Sequence, residues 1–203
     1  MKRIKLFAAL ALSAVLLLTN LYMTEKSQAS GSAYIVINAE DNKVLMESNA
    51  QARLPMASTT KVMTALIVLE NAPTDLLVTV PEDAVRVEGS SMYLKEGEEL
   101  TVLELLYGLM LSSGNDAALA LAYAVGGTPE GFVELMNEKA QVLGLKNTHF
   151  VNPHGLHDAD HYTSAYDLAL ICSEAMKNEI FREIVATKDK KFENPDTGEI
   201  RYL

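Results

Sequence analysis

The sequence predicts a mixed α/β or α+β domain in which short strands at both ends of the chain flank a helical insertion. β-Prone runs lie at residues 33–37 and 43–46, and again at residues 190–192 and 200–203. Between them, apolar segments carry helix-capping and helix-ending residues. Because the strands are few and short, we expect the sheet to be incomplete.

Residues 1–29 have the three parts of a secretory signal peptide. Basic residues at positions 2, 3 and 5 precede an apolar run over residues 6–18, and a polar stretch then ends in Ser27-Gln28-Ala29. The small residues at 27 and 29 predict cleavage before Ser30, which leaves one domain over residues 30–203. The alternative is an uncleaved membrane anchor, because residues 21–23 could extend the apolar run.

The chain that follows the leader is strongly acidic. The leader holds four of the 17 basic residues and one of the 27 acidic residues, so the remainder has a formal charge of −13. Such a surface repels nucleic acid and anionic membranes, and we expect neither as a partner, except the membrane through an uncleaved leader. A hydrophobic content of 49% allows a sizeable core. The single cysteine, Cys172, lies in an apolar segment and is interpreted as a core residue.

The N-terminal part predicts a hairpin followed by a buried helix. Residues 38–42 form a turn between the first two β-prone runs. Pro55 ends the preceding extended segment, and the dense apolar residues 62–69 predict a helix that ends near Pro73. A short extended piece follows at residues 77–81.

Capping and turn residues define the remaining elements. Four more helices are predicted: one from the capping box at Thr101 to about Met110, one from Asp116 to Gly126, one from Thr128 to Gly144, and one opened by Ser164 that contains Cys172. The turn residues 194–198 join the last two β-prone runs into a second hairpin, which is expected to lack a neighbouring strand.

Ser58 and Lys61 stand one helical turn apart at the start of the predicted buried helix. Residues i and i+3 share a helix face, so Lys61 can reach the Ser58 oxygen. An ammonium group in apolar surroundings has a lowered pKa and can act as a general base, while the helix N-terminus favours negative charge at the serine. The pair predicts a serine nucleophile that needs no histidine. The alternative is a serine N-cap with an exposed lysine.

A second polar cluster, Ser113-Gly114-Asn115, joins two predicted apolar helices. Loops that packed elements hold in place often carry polar chemistry. The Ser113 hydroxyl could relay a proton to a leaving amine, and the Asn115 amide could bind a peptide group of a substrate. The alternative is an ordinary Ser-Gly-Asn turn.

Three segments resemble the low-molecular-weight penicillin-binding serine D-alanyl-D-alanine carboxypeptidases. They are residues 53–64 (RLPMASTTKVMT), residues 108–117 (GLMLSSGNDA) and the loop over residues 150–167, which begins with FVNPHGL. The resemblance extends from about Ala33 to Leu203, and it implies a β-lactamase/transpeptidase-like fold with an antiparallel sheet and a helical insertion. Residues 84–94 are most similar to sporulation-associated members from Bacillus-type bacteria.

The resemblance implies an exported enzyme that removes the terminal D-alanine of peptidoglycan stem peptides. It also implies covalent inhibition by β-lactams, and no cofactor or metal. In such an enzyme Ser58 would form the acyl-enzyme and Lys61 would activate it. Ser113 would pass a proton to the departing D-alanine, and Asn115 would hold the substrate.

The third motif of the family, Lys-Thr-Gly or a close variant, does not occur in these 203 residues. Asp196-Thr197-Gly198 belongs to a turn and is no substitute. In the family this motif lies on a strand that supplies a cationic wall and one of the two oxyanion-hole donors, the other being the amide of the serine. We therefore expect residues 30–203 to be the N-terminal part of a catalytic domain, C-terminally truncated, that turns over substrate poorly by itself.

Three alternatives stay open at the level of sequence. A serine β-lactamase shares the first motif and the fold, but residues 154–162 offer only Asp158 and Asp160 where a deacylating glutamate is needed. A non-catalytic domain that binds cell-wall peptide would account for the missing third motif. A metal-dependent hydrolase could use the histidines of the same loop, although the loop is not a helical ligand motif; these are His154, His157 and His161.

Overall fold

The computed structural model describes residues 32–193, 198 and 200–203, and Ala33–Leu203 form one compact unit. The predicted signal peptide lies outside the described residues. No helix among the described residues has the length and apolar character needed to cross a membrane. Short strands lie at both ends of the unit and helices dominate between them, as the sequence predicted.

The predicted N-terminal hairpin is confirmed. Strand β1 (Tyr34–Ile37) pairs antiparallel with β2 (Val44–Ser48), and the register shifts between Val36 and Ile37. Asn42 in the connecting turn has a φ of 56°, a left-handed conformation in which asparagine is enriched. Strand β2 is exposed along its whole length, so the hairpin adds little to the core.

The first long helix begins just after Ser58. A 3₁₀ turn over Ala57–Thr59 leads into α1 (Thr60–Asn71), which ends before Pro73 as predicted. Most residues of α1 are buried, because apolar side chains cover nearly all of its circumference. The helix therefore lies inside the unit, and its second residue, Lys61, is enclosed with it.

Three short elements follow α1. Strand β3 (Leu77–Thr79) pairs antiparallel with β4 (Glu99–Thr101), and helix α2 (Glu82–Val85) lies between them in sequence. The sequence predicted only the first of the three. Helix α2 has four residues and β4 has three, which is too short for hydrophobic periodicity to become visible.

Four helices confirm the capping signals. They are α3 (Val102–Leu111) with the capping box at Thr101, α4 (Asn115–Gly126), α5 (Pro129–Val142) with Thr128 as N-cap, and α6 (Ala165–Ala175) with Ser164 as N-cap. All four pack against α1, and this contact region holds the hydrophobic core. Cys172 in α6 is partly buried, and burial raises the pKa of its thiol, which agrees with a packing role.

The C-terminal part contains one helix that the sequence analysis missed. Helix α7 (Glu179–Ala186) is capped by Asn178, and it precedes the predicted second hairpin, in which β5 (Lys191–Glu193) pairs antiparallel with β6 (Ile200–Tyr202). A two-pronged ion pair from Arg201 to Glu98, at 2.9 and 3.0 Å, attaches β6 to the segment before β4. The strands of the described residues form three separate two-stranded sheets, so the sheet is incomplete as expected.

Candidate active site

Ser58 is exposed on a tightly held turn immediately before α1. Its neighbour Ala57 has a φ of 46°, a left-handed conformation that disfavours residues with a Cβ atom. Two threonine hydroxyls close the turn: Thr59 donates to the Met56 carbonyl at 2.6 Å, and Thr60 donates to the Ala57 carbonyl at 2.8 Å. The local sequence therefore presents the serine on a fixed backbone at the N-terminus of a buried helix.

Lys61 is enclosed beside this serine and is only 2% exposed. Its Nζ lies 3.4 Å from Ser58 Oγ, 2.7 Å from Asn115 Oδ1 and 2.7 Å from the His154 carbonyl oxygen. Burial lowers the pKa of Lys61 to about 8, and the negative charge of Asp116 opposes this shift. A lysine with this pKa has a useful neutral fraction near neutral pH, as a general base requires. The alternative interpretation, in which Lys61 is an exposed residue, is therefore wrong.

Asn115 joins the cluster from the first turn of α4. Its Oδ1 accepts from Lys61, and its Nδ2 donates to the Glu88 carbonyl at 2.6 Å. Its backbone amide donates to the Ser90 carbonyl at 2.7 Å, which aligns residues 88–90 with the start of the helix. One Nδ2 hydrogen is bonded within the protein, so the second is the hydrogen that a substrate could engage.

Ser113 stands on the sharp link between α3 and α4. It has a φ of 52° and is partly exposed. Within the part of the chain that the structure describes, its hydroxyl makes no hydrogen bond to Ser58, Lys61 or any other group. The structure therefore brings Ser58, Lys61 and Asn115 into direct contact, but it does not bond Ser113 to them.

Asp116 is a buried residue at the site that the sequence analysis treated only as a helix start. Its carboxylate, 2% exposed, accepts four hydrogen bonds of 2.6–3.0 Å; the donors are Ser91 Oγ and the amides of Met92, Leu94 and Ala117. Three of these donors belong to residues 91–94, so Asp116 attaches this segment to α4 directly beside Asn115. The available signal was an acidic residue directly before the apolar run of residues 117–122.

The loop over residues 149–164 contributes backbone groups to the base of the site. The His154 carbonyl accepts from Lys61, and the Pro153 carbonyl accepts from Thr64 Oγ1 at 2.6 Å. Two side chains of α1 thus donate hydrogen bonds to consecutive carbonyls of the loop, and these bonds fix the loop along that helix. The segment that resembles the family's loop is therefore a structural part of the lysine environment.

Gly155 brings the same loop against the nucleophile turn. It has a φ of 94°, and a Cβ atom there would lie 2.0 Å from the Ala57 carbonyl oxygen. Asn152 Oδ1 accepts from the Gly155 amide at 2.7 Å and holds the loop in this conformation. Only glycine fits at this position, both for its backbone angle and for the space available.

Two histidines of the loop, the buried His161 and the half-buried His154, are engaged in separate hydrogen bonds. His161 Nδ1 accepts from the Val151 amide at 3.1 Å, and His154 Nδ1 accepts from the Leu156 amide at 3.2 Å. Burial lowers the pKa of both histidines to about 4, so they are neutral at physiological pH. No three His, Cys, Asp or Glu side chains of the described residues are grouped so that they could hold a metal ion. The geometry gives no support to the metal-hydrolase alternative.

Comparison with known sequences identifies the family. Residues 20–202 match Peptidase S11, described as D-alanyl-D-alanine carboxypeptidase. The D-alanyl-D-alanine carboxypeptidase DacF of Bacillus subtilis is 42% identical over 168 residues, and DacA of Escherichia coli is 40% identical over 177 residues. These matches cover 80% and 81% of this chain but 43% of each relative, so the chain spans less than half the length of these curated relatives.

Solved structures agree with the family and with the predicted fold. The Streptomyces K15 DD-transpeptidase is similar with a TM-score of 0.76 and 38% identity, over 84% of this chain and 70% of that one. The carboxypeptidase DacD from Francisella tularensis is similar with a TM-score of 0.77 and 34% identity, over 84% of this chain and 43% of that one. The β-lactamase/transpeptidase-like fold is thereby confirmed, and the chain belongs to the D-alanyl-D-alanine carboxypeptidase family, Peptidase S11.

Proposed function

We propose that the chain forms part of an exported serine-type carboxypeptidase that removes the terminal D-alanine of peptidoglycan stem peptides. The observation that carries the proposal is the buried Lys61 amine, 3.4 Å from the exposed Ser58 hydroxyl, in a member of this family. Relatives named D-alanyl-D-alanine carboxypeptidase support the substrate class. The activity is proposed for the whole protein, because these residues match 43% of the length of those relatives.

The contacts of Lys61 support proton transfer from Ser58 to the lysine amine. A neutral lysine has two N–H hydrogens and one lone pair. Asn115 Oδ1 and the His154 carbonyl, each at 2.7 Å, take the two hydrogens, which leaves the lone pair directed at Ser58 Oγ. The neutral amine is therefore oriented to accept the Ser58 proton rather than to donate to it.

Acylation exchanges a C–N bond for a C–O bond. Ser58 Oγ bonds to the carbonyl carbon of the penultimate D-alanine as its proton passes to Lys61. The oxyanion that forms lies near the N-terminus of α1, where the Ser58 amide can donate to it. The C–N bond then breaks, and Ser113 is the proposed relay that gives its proton to the departing amine and takes the proton held by Lys61. This relay requires the Ser113 hydroxyl to turn toward Lys61, because the structure shows no hydrogen bond between the two. Asn115 supports the substrate through its second Nδ2 hydrogen.

Deacylation returns the enzyme to its starting state. Water adds to the acyl-enzyme carbonyl, the bond to Ser58 Oγ breaks, and the shortened stem peptide leaves as a carboxylic acid. A β-lactam would acylate the same serine, but its leaving nitrogen stays covalently attached to the acyl group. The product therefore remains in the site, and for this reason we expect penicillin to be a covalent inhibitor.

The cellular setting is proposed from sequence. The leader pattern over residues 1–29 supports export to the outer face of the cytoplasmic membrane or the cell wall, where stem peptides occur. The 42% identity to DacF of Bacillus subtilis supports a relationship to members from Bacillus-type bacteria. A role in sporulation stays a prediction.

A non-catalytic domain that binds cell-wall peptide is the second candidate. It stays open from the sequence analysis because Lys-Thr-Gly, which carries the other oxyanion donor of the family, does not occur in these 203 residues, which match 43% of the length of the curated relatives. Loss of one oxyanion donor lowers a rate by roughly 10²–10³-fold. The two candidates therefore differ in whether Ser58 reacts at all.

Covalent labelling by a fluorescent penicillin, together with D-alanine release from a D-Ala-D-Ala peptide, tests the proposal. Ser58→Ala should abolish both signals, because no other group can form the ester, whereas Ser173→Ala, a serine on α6, is the matched control and should react normally. Labelling that survives in Ser58→Ala would refute the assignment of the nucleophile. A folded full-length protein that binds the peptide without reacting would establish the second candidate instead.

A further inference from the structure

A chain of hydrogen bonds runs from the 149–164 loop to the peptide group that precedes the nucleophile. The Val151 amide contacts His161 Nδ1 at 3.1 Å, His161 Nε2 contacts Thr60 Oγ1 at 2.7 Å, and Thr60 Oγ1 contacts the Ala57 carbonyl oxygen at 2.8 Å. His161 is 2% exposed and Thr60 is 1% exposed. Water therefore does not compete for the two side chains in the middle of this series of hydrogen bonds.

The donors and acceptors define the direction of each bond. A backbone amide can only donate, so His161 Nδ1 is an acceptor and the neutral ring carries its hydrogen on Nε2. A carbonyl oxygen can only accept, so the Thr60 hydroxyl gives its hydrogen to Ala57 and accepts from His161. Each polar atom in this series of three hydrogen bonds has a partner. If the donor and acceptor of any one bond were exchanged, two hydrogens would face each other.

The series of hydrogen bonds ends on the peptide group between Ala57 and Ser58. A trans peptide is planar, so its N–H points opposite to its C=O, and fixing one fixes the other. The hydroxyl and the backbone amide of Thr60 both hold the Ala57 carbonyl. Among the described residues, no acceptor takes the Ser58 N–H, which is the group that would face an oxyanion.

We propose that Thr60 and His161 are positioning residues that hold the Ser58 amide N–H in the direction required of an oxyanion donor. The inference rests on the proposed function, in which Ser58 is acylated. Lys61 moves the proton, while Thr60 and His161 act through the backbone and leave proton transfer unchanged. Thr59 has no such role, because its hydroxyl donates to the Met56 carbonyl, one peptide group earlier.

Acylation kinetics with a fluorescent penicillin give the first test. Thr60→Val should lower the acylation rate constant roughly tenfold, while the preceding non-covalent binding constant and the pH midpoint of acylation stay unchanged. Thr60→Ser retains the hydroxyl and should restore the rate. Thr187→Val, which removes a hydroxyl that donates to the Glu183 carbonyl at the end of α7, is the matched control and should react like the wild type. As a single variant, His161→Phe should lower the acylation rate constant. Added to Thr60→Val, it should lower the rate constant little further, because both residues act through the Thr60 hydroxyl.

Residual dipolar couplings of backbone amides give a second test that needs no activity. In Thr60→Val the coupling of the Ser58 N–H should change while those of the later turns of α1 stay the same. A wild-type acylation rate in Thr60→Val, an unchanged Ser58 coupling, or a rate loss explained by a shifted pH midpoint would overturn the proposal. Failure of the full-length wild type to react would overturn the proposed function instead, and the couplings would still decide whether Thr60 and His161 orient the Ser58 amide.

Discussion

At the level of single residues, proton transfer in this site depends on how often Lys61 is neutral. Burial lowers its pKa to about 8 against the opposing charge of Asp116. Two nearby histidines, the half-buried His154 and the buried His161, have pKa values lowered to about 4 and keep one charge state through the neutral range. Of these three groups, Lys61 is therefore the one whose protonation changes near neutral pH, and we attribute a pH dependence of acylation in that range to it.

We predict that the rate of acylation increases as the pH rises through about 8 and levels off above it. The sign follows from the role of Lys61 as a base, because only the neutral amine can accept the Ser58 proton, and its fraction falls as the pH drops below the pKa. The measurement is the second-order rate constant for acylation by a fluorescent penicillin across the neutral and alkaline range.

Lys61→Arg is the decisive variant for this prediction. It keeps the positive charge, but guanidinium stays protonated and cannot take the serine proton, so acylation should be abolished at every pH. Lys177→Arg, which alters a largely exposed lysine paired with Glu174, is the matched control and should keep the wild-type profile. Normal acylation by Lys61→Arg would exclude Lys61 as the base.

Sequence spacing predicted contacts within one helix, but not those between distant segments. The Ser58–Lys61 contact follows from helix geometry alone. The contact of Lys61 with Asn115 spans 54 residues, and the contact of Thr60 with His161 spans 101 residues. Family resemblance indicated Asn115. Nothing indicated His161 as a partner of Thr60, because a threonine in a helix and a histidine in a loop are each common and their pairing depends on tertiary packing.

At the level of elements, the nucleophile turn and the 149–164 loop meet at a glycine. We predict that Gly155→Ala lowers both stability and acylation. The added Cβ would lie 2.0 Å from the Ala57 carbonyl oxygen, a backbone atom that cannot move without shifting Ser58. A displacement of about 1 Å can cost roughly 10²-fold in rate. Thermal unfolding and acylation kinetics are the measurements.

Gly144→Ala separates backbone strain from the clash. Gly144 has a φ of 71°, so alanine there also adopts a left-handed conformation, but no atom lies within 4 Å of the added Cβ. This variant should lose about 1–2 kcal/mol of unfolding free energy and keep the wild-type acylation rate. Equal acylation rates in the two variants would show that the contact between Gly155 and Ala57 does not position the nucleophile.

Elements with strong local signals were predictable, and short ones were not. Helices α3, α5 and α6 begin at the caps that the sequence indicated, because capping side chains bond within three residues and need no tertiary context. Helix α7 was missed although Asn178 caps it, since its eight residues mix apolar and charged side chains and span little more than two turns, which is too short for a clear periodicity.

At the level of the whole molecule, the core and the hairpins differ in burial. Residues of α1, α3 and α4 supply much of the buried apolar cluster, whereas Leu45 in β2 is 63% exposed and Tyr202 in β6 is 75% exposed. Each hairpin is a two-stranded sheet with unpaired edges among the described residues. Two-stranded sheets are marginally stable by themselves, so local stability should follow this division.

We predict that hydrogen exchange shows strong protection in α1, α3 and α4 and weak protection in residues 33–48 and 190–203. The physical reason is that amides of the central helices exchange only through larger unfolding, while the hairpins open locally. The measurement is amide exchange on residues 30–203. Uniformly strong protection, together with normal labelling of Ser58 by penicillin, would show that the sheet needs no further strand.

The long separations within the site have a consequence for the order of folding. Lys61 meets Asn115 and the His154 carbonyl across 54 and 93 residues. Contacts of this kind require large loops to close first, and they slow folding accordingly. A folding intermediate with α1 already formed would have Ser58 and Lys61 on one face, but it would lack the burial that lowers the lysine pKa. Penicillin labelling would therefore appear only as the last segments dock, and it could serve as a kinetic probe for the completion of folding.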